Sequence, residues 1–268
     1  MKKQTAPIGI FDSGIGGLTV AKAVMEALPN EDILYFGDTA RVPYGIKSQE
    51  TVRKYALEIT RFLLDRGVKM ILVACNTVSA SAKKEIIEMA GDVPVLDVIT
   101  SGSEKAVSLK THNEVAVIGT LATVNSGAYP KAIKQLDQHV KVRLKACPMF
   151  VPLAEEGWTD NEIAQKVIEE YLGEFEDSGI DALILGCTHY PLFKKSIETF
   201  LHDEHIHIID SAESIAASAK QELVDRNLSN TTGGNFQCFV SDQPQRFQEL
   251  AERFLGRELV NVEIVSMV

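Results

Sequence analysis

An ungapped internal echo constrains this chain more than any other feature. Gly67-Val-Lys-Met-Ile-Leu-Val-Ala-Cys75-Asn76-Thr77 aligns with Gly179-Ile-Asp-Ala-Leu-Ile-Leu-Gly-Cys187-Thr188-His189. Each copy runs from a glycine through an apolar stretch to a cysteine, then into polar residues of the kind that open a helix. A weaker echo pairs Ile8-Gly-Ile-Phe-Asp12-Ser13 with Val115-Ala-Val-Ile-Gly119-Thr120, each at a similar distance before its cysteine. Two copies of one structural unit are expected, each with a cysteine at the carboxyl end of a strand.

The apolar runs show which kind of unit. Ile8 to Phe11, Ile33 to Phe36, Met70 to Ala74, Val93 to Val98, Val115 to Ile118, Ala182 to Leu185 and Ile206 to Ile209 are short and do not alternate. That pattern suits strands buried on both faces of a parallel sheet. Helix-like stretches lie between them: Leu18 to Leu28, Ser48 to Asp65, Ala80 to Ala90, Gly102 to Leu109, Tyr129 to Leu136, Asn161 to Glu176 and Pro191 to His202. Ser211 to Asn227 and then Phe236 to Val268 read as helix, strand, helix and strand. The expected class is α/β with right-handed crossovers. Ligands of open α/β sheets bind outside the carboxyl ends of the strands. Two units with those ends facing would enclose one cleft with a cysteine on each wall.

A lone cysteine among apolar neighbours is usually a small buried hydrophobe, which fits Cys147 and Cys238. Cys75 and Cys187 differ because each sits where a strand gives way to a helix, and a helix N-terminus lowers a thiol pKa. Such a thiol can act as a base. Structural zinc is disfavoured: no C-x-x-C occurs, and only His189 is near either cysteine in sequence. Asp12 ends the first strand and could be no more than a helix cap or turn residue. His189 could be a surface-loop histidine, and Glu155 and Glu156 a solvated turn. Read as chemistry, a carboxylate beside one thiol and an imidazole beside the other would set their protonation in opposite senses, as two-base catalysis requires. The glycine-rich run Ser13 to Thr19 lacks the third glycine of a dinucleotide motif and the lysine of a phosphate loop. A tight turn whose N–H groups can hold a carboxylate suits it better.

The joint pattern resembles the glutamate racemases of the aspartate/glutamate racemase superfamily. It is carried by Ile10-Phe-Asp12-Ser13-Gly-Ile-Gly-Gly-Leu-Thr19, Gly37-Asp38-Thr-Ala-Arg-Val-Pro-Tyr44-Gly45, Val73-Ala-Cys75-Asn76-Thr77, Val117-Ile-Gly-Thr120, Cys147-Pro-Met-Phe-Val-Pro-Leu-Ala-Glu155 and Leu185-Gly-Cys187-Thr188-His189-Tyr-Pro-Leu192. The resemblance implies two flavodoxin-like α/β units related by pseudo-twofold symmetry, with residues 1–99 and 211–268 forming the first domain and 100–210 the second. It implies inversion of the α-carbon of glutamate for peptidoglycan precursors, with no cofactor and no metal. Cys75 and Cys187 would be the proton carriers, and Asp12, His189 and Glu155 would assist, Glu156 being the competing acid. Substrate contacts would fall on Asp12, Ser13, Tyr44, Gly45, Asn76, Thr77, Thr120, Thr123, Thr188 and His189. A homodimer is also implied. The competing expectations are a racemase of aspartate or another acid, a one-cysteine redox or hydrolytic enzyme, and a binding protein without turnover.

Composition narrows the setting. A formal net charge of −10 over 268 residues argues against a nucleic-acid or anionic-membrane surface. Met1, Lys2 and Lys3 begin like a leader, but no apolar h-region follows, and no apolar run is long enough to span a bilayer. A soluble, cytoplasmic chain is expected, with its four cysteines as thiols rather than a disulfide framework.

Overall fold

The structure, a computed structural model, describes residues 4–109, 114–176, 178–202, 205–259 and 261–266. The leader-like Met1 to Lys3 and the last two residues of the C-terminal stretch lie outside the described residues. Strands and helices alternate from the start: β1 (Ile8–Asp12), α1 (Leu18–Ala27), β2 (Ile33–Gly37), α2 (Gln49–Asp65), β3 (Met70–Val73), α3 (Asn76–Ala90), β4 (Val95–Asp97) and α4 (Val98–Ser108). The pattern then repeats: β5 (Glu114–Gly119), α5 (Leu121–Ser126), α6 (Ala128–Leu136), β6 (Lys141–Ala146), α7 (Phe150–Glu156), α8 (Glu162–Leu172), β7 (Ala182–Gly186), α9 (Lys194–Leu201) and β8 (His207–Asp210). The C-terminal stretch is α10 (Ser211–Asp225), β9 (Phe236–Val240), α11 (Pro244–Leu255) and β10 (Glu263–Ile264), the helix, strand, helix and strand expected.

Among the described residues all strand pairs are parallel and form two sheets, ordered β10-β9-β2-β1-β3-β4 and β6-β5-β7-β8. The second sheet reproduces the inner order of the first, with β5, β6, β7 and β8 standing for β1, β2, β3 and β4. The internal echo therefore marks structurally equivalent strands, β3 before Cys75 and β7 before Cys187. β1, β2, β3 and β7 are buried along their whole length, as non-alternating apolar runs require. Each isoleucine or leucine so buried contributes roughly 1.5–3 kcal/mol. After β8 the chain returns to the first sheet: α10 packs on α1 and α4, and β9 pairs with β2.

Local chemistry fixes the helix starts. Ser48 Oγ accepts from Thr51 N at 3.2 Å to open α2, and Asp97 Oδ1 accepts from Ile99 N and Thr100 N at 3.1 and 3.0 Å to open α4. That cap explains why α4 begins at Val98, which the pattern alone reads as strand. α3 likewise begins at Asn76, before the Ala80 expected, because Cys75 itself is the N-cap. The pattern missed three elements: β6, α5 and α7. β6 is an edge strand whose Arg143 and Lys145 meet Glu174, so half its side chains are charged and no apolar run announces it. The two helices, of six and seven residues, are too short for a helical period to register. Among the described residues no helix is long and apolar enough to cross a membrane.

Candidate active site

The carboxyl ends of the two sheets share one cleft of about 380 Å³, and both echo cysteines line it. Cys75 is 6% exposed and Cys187 7% exposed, so each thiol is buried except where it meets the cleft. Cys75 caps α3, and its S–H donates to Ser13 Oγ at 3.5 Å. Contrary to the lowering expected at a helix N-terminus, burial pushes the Cys75 thiol up to about 12 and the Asp12 carboxylate adds to the rise, while the Ser13 hydroxyl and nearby N–H groups oppose it without prevailing. On the opposite wall Cys187 Sγ lies 3.9 Å from His189 Nδ1, and His189 Nε2 lies 3.1 Å from Glu155 Oε1. Burial works against the imidazolium, yet hydrogen bonds to Cys187 and Glu155 outweigh it and carry His189 up to about 10. The hydrogen bond to His189 in turn holds the Glu155 carboxyl below its ordinary range. One thiol thus has a carboxylate as its neighbour and the other a cation.

Asp12 ends β1 and is buried. Its Oδ2 accepts from Gly14 N at 3.0 Å, while Oδ1 has no hydrogen-bond partner among the described residues. Burial raises its pKa, opposed by the charge of His189 and by the N–H groups of the turn. Asp12 is not among the residues lining the cleft; Ser13 is. The turn after it passes close to everything around it. A Cβ at Gly17 would run into the Asp12 side chain, and Tyr35 Oη donates to Gly14 O at 2.7 Å, pinning the loop. Thr19 ties the two units together, its hydroxyl donating to Thr188 O at 3.0 Å.

The other expected contact residues, Tyr44, Gly45, Asn76, Thr77, Thr120, Thr123 and Thr188, all line the same cleft. Thr120 Oγ1 caps α5 by accepting from Thr123 N at 3.3 Å, and the two hydroxyls are 3.1 Å apart. Tyr44 donates its hydroxyl to buried Asp38, which also accepts from Arg41 Nε at 2.7 Å and Ser241 Oγ at 2.8 Å. Its polar tip is therefore engaged in holding the loop, which leaves its main chain for the cleft. Of the two adjacent acids it is Glu155 that reaches His189, from the last turn of α7, where the sequence left open a solvated turn.

Sequence reasoning missed the wall supplied by the C-terminal stretch. Gln243, Arg246, Phe247 and Leu250 line the cleft from α11 and the turn before it, and Phe254 meets the His189 ring edge-on at 5.2 Å between centroids. Arg246 is the only Lys or Arg among the described lining residues. The signal was partial: Phe247, Ala251, Phe254 and Leu255 have helical spacing, which predicts a buried face but not what it covers.

Comparison with known proteins agrees with this geometry. Residues 16–219 match the family model described as Asp/Glu/Hydantoin racemase. The chain is 52% identical over 264 residues to a glutamate racemase of Chlorobaculum tepidum, covering 98% of this chain and 97% of that one. It superposes with a TM-score of 0.91 on the glutamate racemase of Francisella tularensis in complex with D-glutamate, at 44% identity and 98% coverage of both chains. A glutamate racemase isoform of Bacillus anthracis superposes with a TM-score of 0.92 at 36% identity, again covering 98% of both. With a family match across most of its length, two parallel sheets in the arrangement of these relatives, and a thiol from each sheet on one cleft, the chain belongs to the Asp/Glu/hydantoin racemase family.

Proposed function

We propose that this chain interconverts L- and D-glutamate by two-base proton transfer between Cys187 and Cys75, without an electron-sink cofactor. The observation that carries the reading is the pair of buried thiols on one cleft with opposite electrostatic partners. Cys187 as thiolate removes the α-proton of L-glutamate, and Cys75 as thiol delivers its proton to the opposite face. D-glutamate forms, with Cys187 protonated and Cys75 ionised; the same steps in reverse act on D-glutamate. His189, held as imidazolium by Glu155, supplies the counter-charge for a thiolate at Cys187. Asp12 favours the protonated Cys75 that must act as donor. An α-hydrogen is far less acidic than a thiol, so the developing carbanion needs preorganised dipoles in a cleft that excludes water. The N–H groups opening α3 and the hydroxyls of Ser13, Thr77 and Thr188 are available for that. Asn76 Nδ2, buried without a partner among the described residues and carried by a residue that lines the cleft, suits a carboxylate. Tyr44 and Gly45 would contact the substrate through their main chain, and Thr120 and Thr123 through their hydroxyls.

The test is proton NMR of L-glutamate in D2O with the purified chain and no added cofactor, with circular dichroism of the same sample. Wild type should lose the α-hydrogen signal as optical activity decays to zero. Cys75→Ser and Cys187→Ser should each abolish racemisation, and each should leave exchange on one enantiomer only. Unchanged glutamate in the wild-type sample refutes the substrate, and racemisation by either variant refutes the two-thiol mechanism.

We further propose a division into domains 1–99 with 211–268 and 100–210, a homodimer, and a cytoplasmic role in supplying D-glutamate for peptidoglycan. The sheet pairing of β9 supports the first. Apolar exposed side chains at the cleft rim, Val42, Ile46 and Leu121, support the second, which light scattering of the purified chain tests. Four free cysteines suit a reducing compartment.

A further inference from the structure

Asn76 opens α3 beside Cys75, and its side-chain amide is held from behind. Tyr129, the second residue of α6 and 1% exposed, donates its hydroxyl to Asn76 Oδ1 at 2.9 Å. Tyr129 Oη lies 3.3 Å from Ser211 Oγ, which donates to Leu185 O at 2.9 Å, at the strand that leads to Cys187. Tyr129 and Ser211 therefore stand side by side between the two cysteine-bearing strand ends, Tyr129 giving its proton to the first unit and Ser211 giving its proton to the second. The space is close-fitted: a Cβ on Gly102 would sit 3.3 Å from Ser211 Oγ and 3.7 Å from Tyr129 Oη. Asn76 Nδ2, on the other side of the same amide, is buried with no partner among the described residues, on a residue that lines the cleft.

An amide has a donor end and an acceptor end of nearly equal shape, and its neighbours decide which way it turns. An acceptor turned toward the cleft would repel an anionic group; a donor there would bind it. A neighbour that donates to Oδ1 selects the second arrangement. Burial raises the Tyr129 pKa, so its hydroxyl keeps the proton that it donates throughout the neutral range.

We propose that Tyr129 is a positioning residue for substrate binding: its hydroxyl holds Asn76 with the amide N–H2 presented to an anionic group of the substrate in the cleft. The inference rests on the glutamate reading above, which supplies the anion. Tyr129 touches no reacting atom and acts only through Asn76.

Tyr129→Phe removes the oxygen and keeps the ring. The expected result is a KM for both L- and D-glutamate raised about tenfold with kcat changed much less, the mark of lost binding rather than lost chemistry. A double-mutant cycle gives the readout that a structural role would not. In an Asn76→Ala background Tyr129→Phe should have no further effect on kcat/KM. The same loss in both backgrounds, or a wild-type KM in Tyr129→Phe, overturns the proposal. Asn76→Asp keeps the shape, removes the donor and leaves Tyr129 in place, so it serves if the phenylalanine variant does not fold. It should raise KM more than tenfold, and an unchanged KM would overturn the proposal. Wild type that leaves glutamate untouched refutes both readings, whereas wild-type turnover with an additive cycle refutes the positioning role alone.

Discussion

Gly16→Ala tests how tightly the first turn is fitted against the catalytic histidine of the proposed mechanism. A methyl group on Gly16 would meet His189 Nδ1 at 2.5 Å and Cε1 at 2.6 Å and would overlap Thr188 Oγ1. Ordinary contact begins near 3.4 Å, so the imidazole must retreat by about 0.9 Å or the turn must lift by as much. The ring has little room to move, since its two nitrogens face Cys187 and Glu155 and the Phe254 ring packs against it in a T-shaped contact. A displacement of about 1 Å in a catalytic group costs on the order of 100-fold in rate. The expected loss in kcat/KM is therefore about 100-fold, with a fall in thermal midpoint of only a few degrees for the overpacking. The enantiomers are mirror images, so their equilibrium constant is one and kcat/KM must fall by the same factor in both directions. Circular dichroism started from each pure enantiomer measures both. Gly67→Ala is the control: its φ is +70° with nothing within 4 Å of the added carbon, at the far end of β3 from Cys75. It should cost about 1 kcal/mol of stability and leave turnover intact. Wild-type kcat/KM in Gly16→Ala would refute the fitted-turn argument, as would a loss equalled by Gly67→Ala.

Two further outcomes are expected. Folding raises His189 from 6.5 to about 10, so its contribution to stability is complete below pH 6.5 and fades as pH rises toward 10. The thermal midpoint of wild type should therefore fall more steeply between pH 6.5 and 10 than that of His189→Asn, and parallel curves would contradict it. Far from the cleft, Lys69 is buried against the Glu31 carboxylate and donates to Leu228 O at 2.8 Å. Lys69→Met strands that carboxylate and should cost about 3–5 kcal/mol, lowering the midpoint by roughly 10 °C. Adding Glu31→Gln should recover much of the loss. Turnover at 25 °C should be unaffected in the folded fraction, and a midpoint equal to wild type would show the pair to be dispensable.

The fold was legible where residues act on their own backbone or strand. Non-alternating runs such as Ile8 to Phe11 and Met70 to Ala74 specify buried parallel strands, and the repeat of Cys75 by Cys187 specifies equivalent strand ends. Capping residues such as Asp97 are readable too, although the apolar side chain of Val98 suits strand and helix alike and the pattern places it in a strand. β6 escaped because an edge strand needs no apolar run when Glu174 neutralises its cations.

By itself, then, the sequence determined the α/β class, the doubled unit and the two thiols on their strand ends, since each is set by short-range pattern and chain direction. Tertiary structure alone decided that Glu155 rather than Glu156 reaches His189, that α11 walls the cleft with Arg246, and that Tyr129 stands behind Asn76. Those pairings join residues far apart in the chain. They depend on how helices cross and how the sheets meet, and local periodicity carries no information about which distant side chain will occupy the remaining space.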